Sequence, residues 1–302
     1  MCKTLFLIAA VLLLAGSGNF IMAQCGDKTY YSIAEALVDT ACAKKLSLRL
    51  NKKETLSASI GSLSLLEYLD LQKNNFQYLP DEISGLSKLK HLILSENHLK
   101  KLPASFGEMI SLEYVQLDKN SLTELPVSFS SLKNLHTLDV SWNEMASLHF
   151  DAGALKKLVT FGLQHNHILF LPDDIGKLQN LRFLHLDYNR LNFLPNGIVK
   201  LKKLEQLDVS FNGLQALPEN IGKMSSLKVL NLSGNNLTAL PESIGKLEKL
   251  EMMLLTGNAL QKLPSTIKKL KNLKTLVLIG NPMSVEVITQ LKTDLPAARI
   301  LF

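Results

Sequence analysis

A period of 23 residues constrains this chain more than any other feature of its sequence. The stretches that begin at positions 181, 204 and 227 are LRFLHLDYNRLNFLP, LEQLDVSFNGLQALP and LKVLNLSGNNLTALP. Their leucines fit neither the 3.6-residue period of a helix nor the alternation of a long strand. The same register defines units that start at Ala43, Leu66, Leu89, Leu112, Leu135, Leu158, Leu181, Leu204, Leu227, Leu250 and Leu273. Repetition at a fixed interval of this size predicts a stacked array of similar coils.

Each unit follows the pattern LxxLxLxxNxLxxLPxxIGxLxx. This pattern resembles the leucine-rich repeat family in its 23-residue form, over about residues 43–302. The resemblance implies an α/β solenoid, a horseshoe with a parallel concave β-sheet of about eleven strands, short irregular or 3-10 convex segments, and helical caps at both ends. It also implies a role in adhesion, host contact or scaffolding.

Two columns of the repeat have predictable structural roles. Positions 3 to 7 alternate variable and apolar residues, as in the segment 183–187, which predicts a short strand whose leucines face the core. Position 9 is Asn in all eleven units, and its amide can bond turn backbone groups that would otherwise be buried without partners. One unit buries too little apolar surface to fold alone, so neighbouring units must stabilise one another.

Both ends of the array carry segments that predict caps. Ser32 and Glu35 have the spacing of a capping box ahead of a short apolar helix face, and a second helix pattern follows Pro282. The predicted organisation is a signal peptide over 1–23, an N-terminal helical cap over 24–42, the repeat array over 43–284 and a C-terminal cap over 285–302.

The signal peptide is predicted from the first residues. Lys3 precedes an apolar run from Leu5 to Ala15, which is too short to span a bilayer, and Ala23 is a suitable last residue before cleavage. The expected location is therefore secreted, or in the cell envelope or periplasm.

Two cysteines, Cys25 and Cys42, lie in the predicted N-terminal cap. In an oxidising compartment a disulfide between them would close a loop of roughly 17 residues and stabilise the fold by about 3 kcal/mol. Two alternatives stay open: lipid attachment to Cys25, which would exclude the disulfide and provide a membrane contact, or a buried thiol beside a mobile one.

The sequence contains no motif for catalysis or cofactor binding, and we predict neither an enzyme nor a cofactor. His165, His167 and His185 are close enough in the repeat to suggest a metal ion. Other units hold Tyr, Arg, Asp or Asn at the same positions, so ordinary surface variation is the preferred interpretation.

The net charge of +6 raises the question of an anionic partner. Five successive units carry a lysine at position 20, on the predicted convex side, where a solvated face is the simplest interpretation; these are Lys177, Lys200, Lys223, Lys246 and Lys269. Lipid headgroups or an acidic cell-surface polymer are the functional alternatives. A nucleic acid partner is not expected, because the signal peptide directs the chain to export and aromatic residues do not alternate with the basic ones.

Positions 3, 5, 7 and 8 project from the concave sheet and are free to vary. Position 8 carries rings in four consecutive units, and further rings and carboxylates occur close by. The candidate partner-binding residues are Trp142, His165, Phe183, His185, Tyr188, Phe211, Asp139, Asp187 and Asp208. Exposed rings rimmed by carboxylates resemble an interaction hot spot. The alternative is a ladder of rings that stack on one another and shield the strand ends.

Two further sets of residues would extend the concave surface. Tyr68, His91 and Tyr114 at position 3 lie toward the N-terminus. Toward the C-terminus an apolar set would attract a second copy, a partner or the C-terminal cap; it comprises Val229, Met252, Leu254, Val277 and Ile279.

These features predict an exported, non-enzymatic module that binds a protein or cell-surface polymer through its concave face. A structural envelope component, held by lipid on Cys25 or by the convex lysines, is the alternative. Homodimerisation stays open.

Overall fold

The structure, a computed structural model, describes residues 25–302, and the predicted signal peptide lies outside this range. The described chain winds into a solenoid with one open parallel sheet along its concave face. The strands are β1 (Thr29–Tyr30), β2 (Lys45–Ser47), β3 (Tyr68–Asp70), β4 (His91–Ile93), β5 (Tyr114–Gln116), β6 (Thr137–Asp139), β7 (Thr160–Gly162), β8 (Phe183–His185), β9 (Gln206–Asp208), β10 (Val229–Asn231), β11 (Met252–Leu254), β12 (Thr275–Val277) and β13 (Arg299–Leu301).

The strands lie side by side in chain order, and each pairs with the strand of the preceding unit. Leu184 pairs with Leu207, and Leu207 with Leu230, so the 23-residue period sets the register directly. All three leucines are fully buried, since the central residue of each strand faces the core. Strands β2 to β12 are the eleven predicted by the repeat pattern.

The sheet of the described residues has thirteen strands, two more than the repeats supply. The additional strands belong to the caps: β1 pairs with β2 through Thr29 and Lys45, and β13 pairs with β12 through Thr275 and Arg299. Without them the backbone of β2 and β12 would present unpaired groups at the edges of the array.

Short 3-10 segments form the convex side, as the repeat pattern predicts. Most of them follow a proline whose φ lies between −63° and −69°, a value that its ring imposes and that suits the start of a helical turn. The segments are Ala58–Ser62, Asp81–Gly85, Ala104–Glu108, Val127–Ser131, Ala152–Ala154, Asp173–Lys177, Asn196–Lys200, Ile221–Lys223, Glu242–Lys246 and Ser265–Lys269.

The two α-helices of the described residues lie in the caps. Helix α1 (Ile33–Val38) begins at Ser32, whose hydroxyl accepts a hydrogen bond from the Glu35 N–H at 3.1 Å, as its capping-box spacing predicts. Helix α2 (Val285–Asp294) begins at Ser284 and buries Leu291 against the last repeat. Helical caps at both ends of the array are therefore confirmed.

Cys25 and Cys42 form a disulfide, with their Cα atoms 5.1 Å apart. The bond ties the start of the described chain to the end of the N-terminal cap. Because the sulfur of Cys25 is used in this bond, it offers no thiol for lipid attachment in this state.

The position 9 asparagines connect consecutive units beneath the sheet. The Asn166 side-chain NH₂ donates to the carbonyl oxygens of Val140 and Leu163, each at 3.0 Å. Its Oδ1 accepts the N–H of Met145 at 3.0 Å. The same three contacts recur in the neighbouring units, so the structural role predicted for this column is confirmed.

No helix within residues 25–302 combines the length and apolar character needed to cross a membrane.

Candidate functional site

Position 8 of every unit lies in the left-handed region of backbone space, directly after the strand has ended. We call Trp142, His165, Tyr188 and Phe211 the ring column; their φ angles are 53°, 52°, 53° and 51°. For a residue with a Cβ, steric repulsion makes this conformation roughly 1–2 kcal/mol less favourable. The final three units place glycine at this position, where the strain is absent.

The four rings form a continuous stack along the array. Centroids are 3.6 Å apart between Trp142 and His165, 4.3 Å between His165 and Tyr188, and 4.4 Å between Tyr188 and Phe211. The ring planes are within 15° of parallel. Strand spacing in a sheet is about 4.8 Å, so rings at the same position of successive units fall into stacking range.

Stacking leaves the ring column open to solvent. Trp142, Tyr188 and Phe211 remain 50%, 45% and 48% exposed. The column ends over Gly234, where an added Cβ would lie 2.6 Å from the Phe211 ring. The residues therefore form the ladder that one interpretation predicts, and they also expose the apolar surface that the other requires.

An open groove of about 550 Å³ runs along the ring column. Besides the rings, its lining includes the charged or polar side chains of Glu144, His167 and Arg190. These three residues occupy position 10, and Glu144 and Arg190 are missing from the sequence-based candidates. The repeat pattern could have predicted them. Because Asn at position 9 turns inward, the residues at positions 8 and 10 flank it on the same outer surface.

The three candidate carboxylates lie on the concave sheet beside the ring column. Asp139 Oδ1 accepts the N–H of Ser141 at 2.9 Å. Asp208 accepts from the Ser210 N–H at 3.0 Å and from its hydroxyl at 2.7 Å, and Asn231 donates to Oδ2 at 2.9 Å. These bonds orient the carboxylates and add no positive charge.

The environment of Asp187 disfavours its ionised form. Burial raises the pKa of Asp187, and the nearby carboxylate of Asp208 adds to that rise. The imidazoles of His165 and His185 act on this pKa in the opposite direction. Carboxylates that are half-buried and close to one another hold unbalanced negative charge.

Asp118 belongs to the same set, although the sequence analysis did not select it. Burial raises its pKa, and the carboxylate of Asp139 adds to the rise, while a hydrogen bond from the Ser95 hydroxyl lowers it. Asp118 occupies position 7 of its repeat unit, and Asp187 occupies the same position three units later. Reading position 7 as a complete column would have identified it.

The structure separates Phe183 from the ring column. Phe183 begins β8, at the opposite end of the strand from Tyr188, and the guanidinium of Arg182 lies 5.4 Å from its ring centroid. His185 ends β8 and is half-buried on the concave face, next to the carboxylates. Of these two candidates, only His185 lies near the centre of the proposed surface.

A second line of rings follows the starts of the earlier strands. We call Tyr68, His91, Tyr114 and His136 the N-terminal ring row. Centroid distances along it are 6.2 Å, 4.5 Å and 6.3 Å, and the central pair is within 5° of parallel. Tyr114 is 41% exposed, while Tyr68, His91 and His136 are half-buried, so the row continues the ring surface to β3 with less exposure.

The apolar C-terminal part of the sheet stays exposed. Met252 and Ile279 are 37% and 47% exposed, and strand β13 lies beside β12 at the sheet edge. The C-terminal cap thus lengthens the sheet and leaves this part of its concave face uncovered.

The histidines of the concave surface do not come together as a metal site. Within residues 25–302, no group of three or more His, Cys, Asp or Glu side chains is placed to hold a metal ion.

Taken together, a repeating solenoid with an open, variable concave sheet is the architecture of a recognition scaffold. A family model described as "Leucine rich repeat" matches residues 43–99 and 156–214, and one described as "Leucine-rich repeat region" matches 219–293. The chain belongs to the leucine-rich repeat family. Such folds typically serve as non-enzymatic interaction scaffolds.

Solved structures resemble the chain over most of its length. A leucine-rich repeat protein of Leptospira interrogans is 26% identical, with a TM-score of 0.51, over 92% of this chain and 100% of that one. A TDR receptor is 28% identical, with a TM-score of 0.75, over 92% of this chain and 50% of the receptor. The plant peptide hormone receptor RGFR1, in complex with RGF2, shares the fold at 23% identity and a TM-score of 0.71, over 90% and 49%.

The chain thus spans about half the length of the two receptors. A search of curated proteins found no match.

Proposed function

We propose that the protein is an exported, non-enzymatic binding module that recognises a protein or cell-surface polymer, with a protein the preferred partner. Recognition takes place on the concave sheet and the ring column. The observation that carries the proposal is the stack of four partly exposed rings beside carboxylates that form no ion pair within residues 25–302.

The ring column is suited to binding because its order exists before a partner arrives. Each ring is held by its neighbours at 3.6 to 4.4 Å, so little side-chain freedom is lost when a partner covers it. Aromatic residues in the centre of an interface commonly contribute about 2 kcal/mol or more each.

The similarity to solved structures supports a recognition role. The TDR receptor is 28% identical to the chain over the aligned half of the receptor. The disulfide supports export, because such bonds persist in oxidising compartments.

The test is capture of partners by the purified, processed protein from extracts of its source. A variant with Trp142→Ala, Tyr188→Ala and Phe211→Ala is compared with the wild type. The matched control is Phe170→Ala with Phe193→Ala, which removes rings that are 50% and 55% exposed at position 13, away from the ring column.

We expect the ring-column variant to lose a specific partner that wild type and control both retain, with circular dichroism spectra unchanged. Equal capture by all three proteins would refute recognition through the ring column. The intact mass of the processed protein tests export and anchoring: an N-terminus at Gln24 without added lipid supports a free exported form. Light scattering of the same sample tests homodimerisation.

A further inference from the structure

The two sets of rings lie at opposite ends of the strands, the N-terminal ring row along β3 to β6 and the ring column along β6 to β9. The N-terminal ring row follows the starts of β3 to β5, with His136 just ahead of β6. The ring column lies three residues beyond the ends of β6 to β9. A line from Tyr68 to Phe211 therefore crosses the concave sheet diagonally.

The middle of this diagonal passes over Gly162, a buried residue on β7. We call this position the notch because it lacks a side chain of its own; the side chains of Asp139 and Gln164 cover it. An added Cβ there would lie 2.8 Å from Asp139 Oδ1 and 3.2 Å from Gln164 Oε1, so both acceptor atoms border the space above the glycine. Gln164 Oε1 is buried and has no hydrogen-bond partner among residues 25–302. The notch thus holds one acceptor without a donor, Gln164 Oε1, beside the Asp139 carboxylate, whose Oδ1 already accepts the Ser141 N–H.

The charge around the notch is negative, although the chain as a whole carries +6. Four carboxylates line the central part of the sheet, and none of them takes part in an ion pair within the described range 25–302. They are Asp118, Asp139, Asp187 and Asp208. A partner that brings positive charge would balance them, and one that brings negative charge would be repelled.

The faces of exposed rings favour the same charge. Arg and Lys side chains are attracted to aromatic faces within about 6 Å of the ring centre. The acceptors at the centre and the rings at both ends therefore all favour a partner that carries positive charge.

We infer that the concave face binds an extended, cationic peptide segment that runs diagonally from the N-terminal ring row to the ring column. The inference rests on the proposed function and specifies the partner's chemistry. From β3 to β9 there are six strand spacings, about 29 Å, and from position 3 to position 8 there are five residues, about 17 Å. The diagonal is thus about 33 Å, which an extended segment of about ten residues spans.

The direct test uses defined peptides and the fluorescence of Trp142, which is the only tryptophan in the sequence and lies in the ring column. Probes of about twelve residues alternate Gly with Arg, with Glu or with Ser; an Arg–Gly probe of about six residues and the neutral sugar chitohexaose complete the set. We expect the long Arg–Gly peptide to bind at least tenfold more tightly than any other probe, and its affinity to fall with salt.

Variants locate the bound peptide. Asp139→Asn removes one acceptor charge at the notch, and Gly162→Ala fills the notch by moving only the flexible ends of two side chains. Each should weaken the long Arg–Gly peptide by about tenfold. Glu219→Gln makes the same charge change at an exposed site on the convex side and should change affinity by less than about twofold. Tyr114→Ala should weaken the long peptide because it removes an exposed ring of the N-terminal ring row, on the path of the diagonal.

Equal binding of the Glu, Ser or sugar probe would overturn the inference, as would unchanged affinity in Asp139→Asn. These outcomes differ from failure of the proposed function. If the ring-column variant loses its captured partner while the Arg–Gly peptide does not bind, recognition by the rings stands and the cationic segment is wrong. If partner capture does not depend on the rings, the proposed function itself fails.

Discussion

Replacing Tyr188 by Ala in one variant and by Gly in another separates two contributions to stability in the ring column: the stacking of the rings and the strain of the left-handed backbone. Tyr188 stacks on His165 at 4.3 Å and on Phe211 at 4.4 Å, and its φ is 53°. Either substitution removes both stacks, which at about 0.5–1.5 kcal/mol each amounts to about 1–3 kcal/mol of stability.

The two variants differ in how they fit the left-handed backbone. Ala keeps the steric cost of a Cβ, about 1–2 kcal/mol, and Gly removes it. Gly also makes the unfolded chain more flexible, which costs about 0.5–1 kcal/mol and offsets part of that gain. We therefore expect the Tyr188→Gly protein to be more stable than Tyr188→Ala by about 0.5–1 kcal/mol, the difference of these two terms.

Urea unfolding followed by far-ultraviolet circular dichroism measures this difference. Partner capture by both variants is measured in parallel and should fall to the same extent, because both lack the ring. A Gly variant that is less stable than the Ala variant would refute the account of strain at position 8. Normal capture by either variant would show that this ring acts only within the ladder.

Three further predictions concern the scaffold and its charge. Asn166→Ala should destabilise the fold by about 3–5 kcal/mol in urea unfolding because three buried backbone groups lose their partner, whereas Asn180→Ala, at an exposed site, should cost less than about 1 kcal/mol. Replacing Cys25 and Cys42 together by Ser should lower stability by about 3 kcal/mol, and reducing the wild type should reproduce the loss. Because burial raises the pKa of Asp187, its ionisation destabilises the folded state at neutral pH; Asp187→Asn should raise Tm at pH 7, and the gain should disappear below the unfolded pKa of about 4. A stabilisation that persists at about pH 3 would contradict this assignment of the effect to charge.

The sequence determined the parts of this protein that depend on a constant offset along the chain. A period of 23 residues places Leu184 beside Leu207 and Asn166 beside the turn of the preceding unit. Repetition makes every such neighbour predictable from one unit. The eleven repeat strands and the convex 3-10 segments were therefore predictable. The helical caps followed from their own capping and apolar patterns, and the Cys25–Cys42 disulfide was the interpretation that the structure selects from the alternatives left open.

Tertiary structure decided the features that depend on how far apart two positions lie in space. Phe183 begins β8, whereas Tyr188 lies three residues beyond the end of that strand, so the two rings are on opposite sides of it. The cap strands β1 and β13 carry no repeat pattern, because only the open edges of the stacked sheet give them partners. The notch at Gly162 arises because side chains from adjacent units turn toward a position that lacks one. Periodicity gives the order of neighbours, whereas burial, strand ends and the direction of each side chain follow only from the assembled coil.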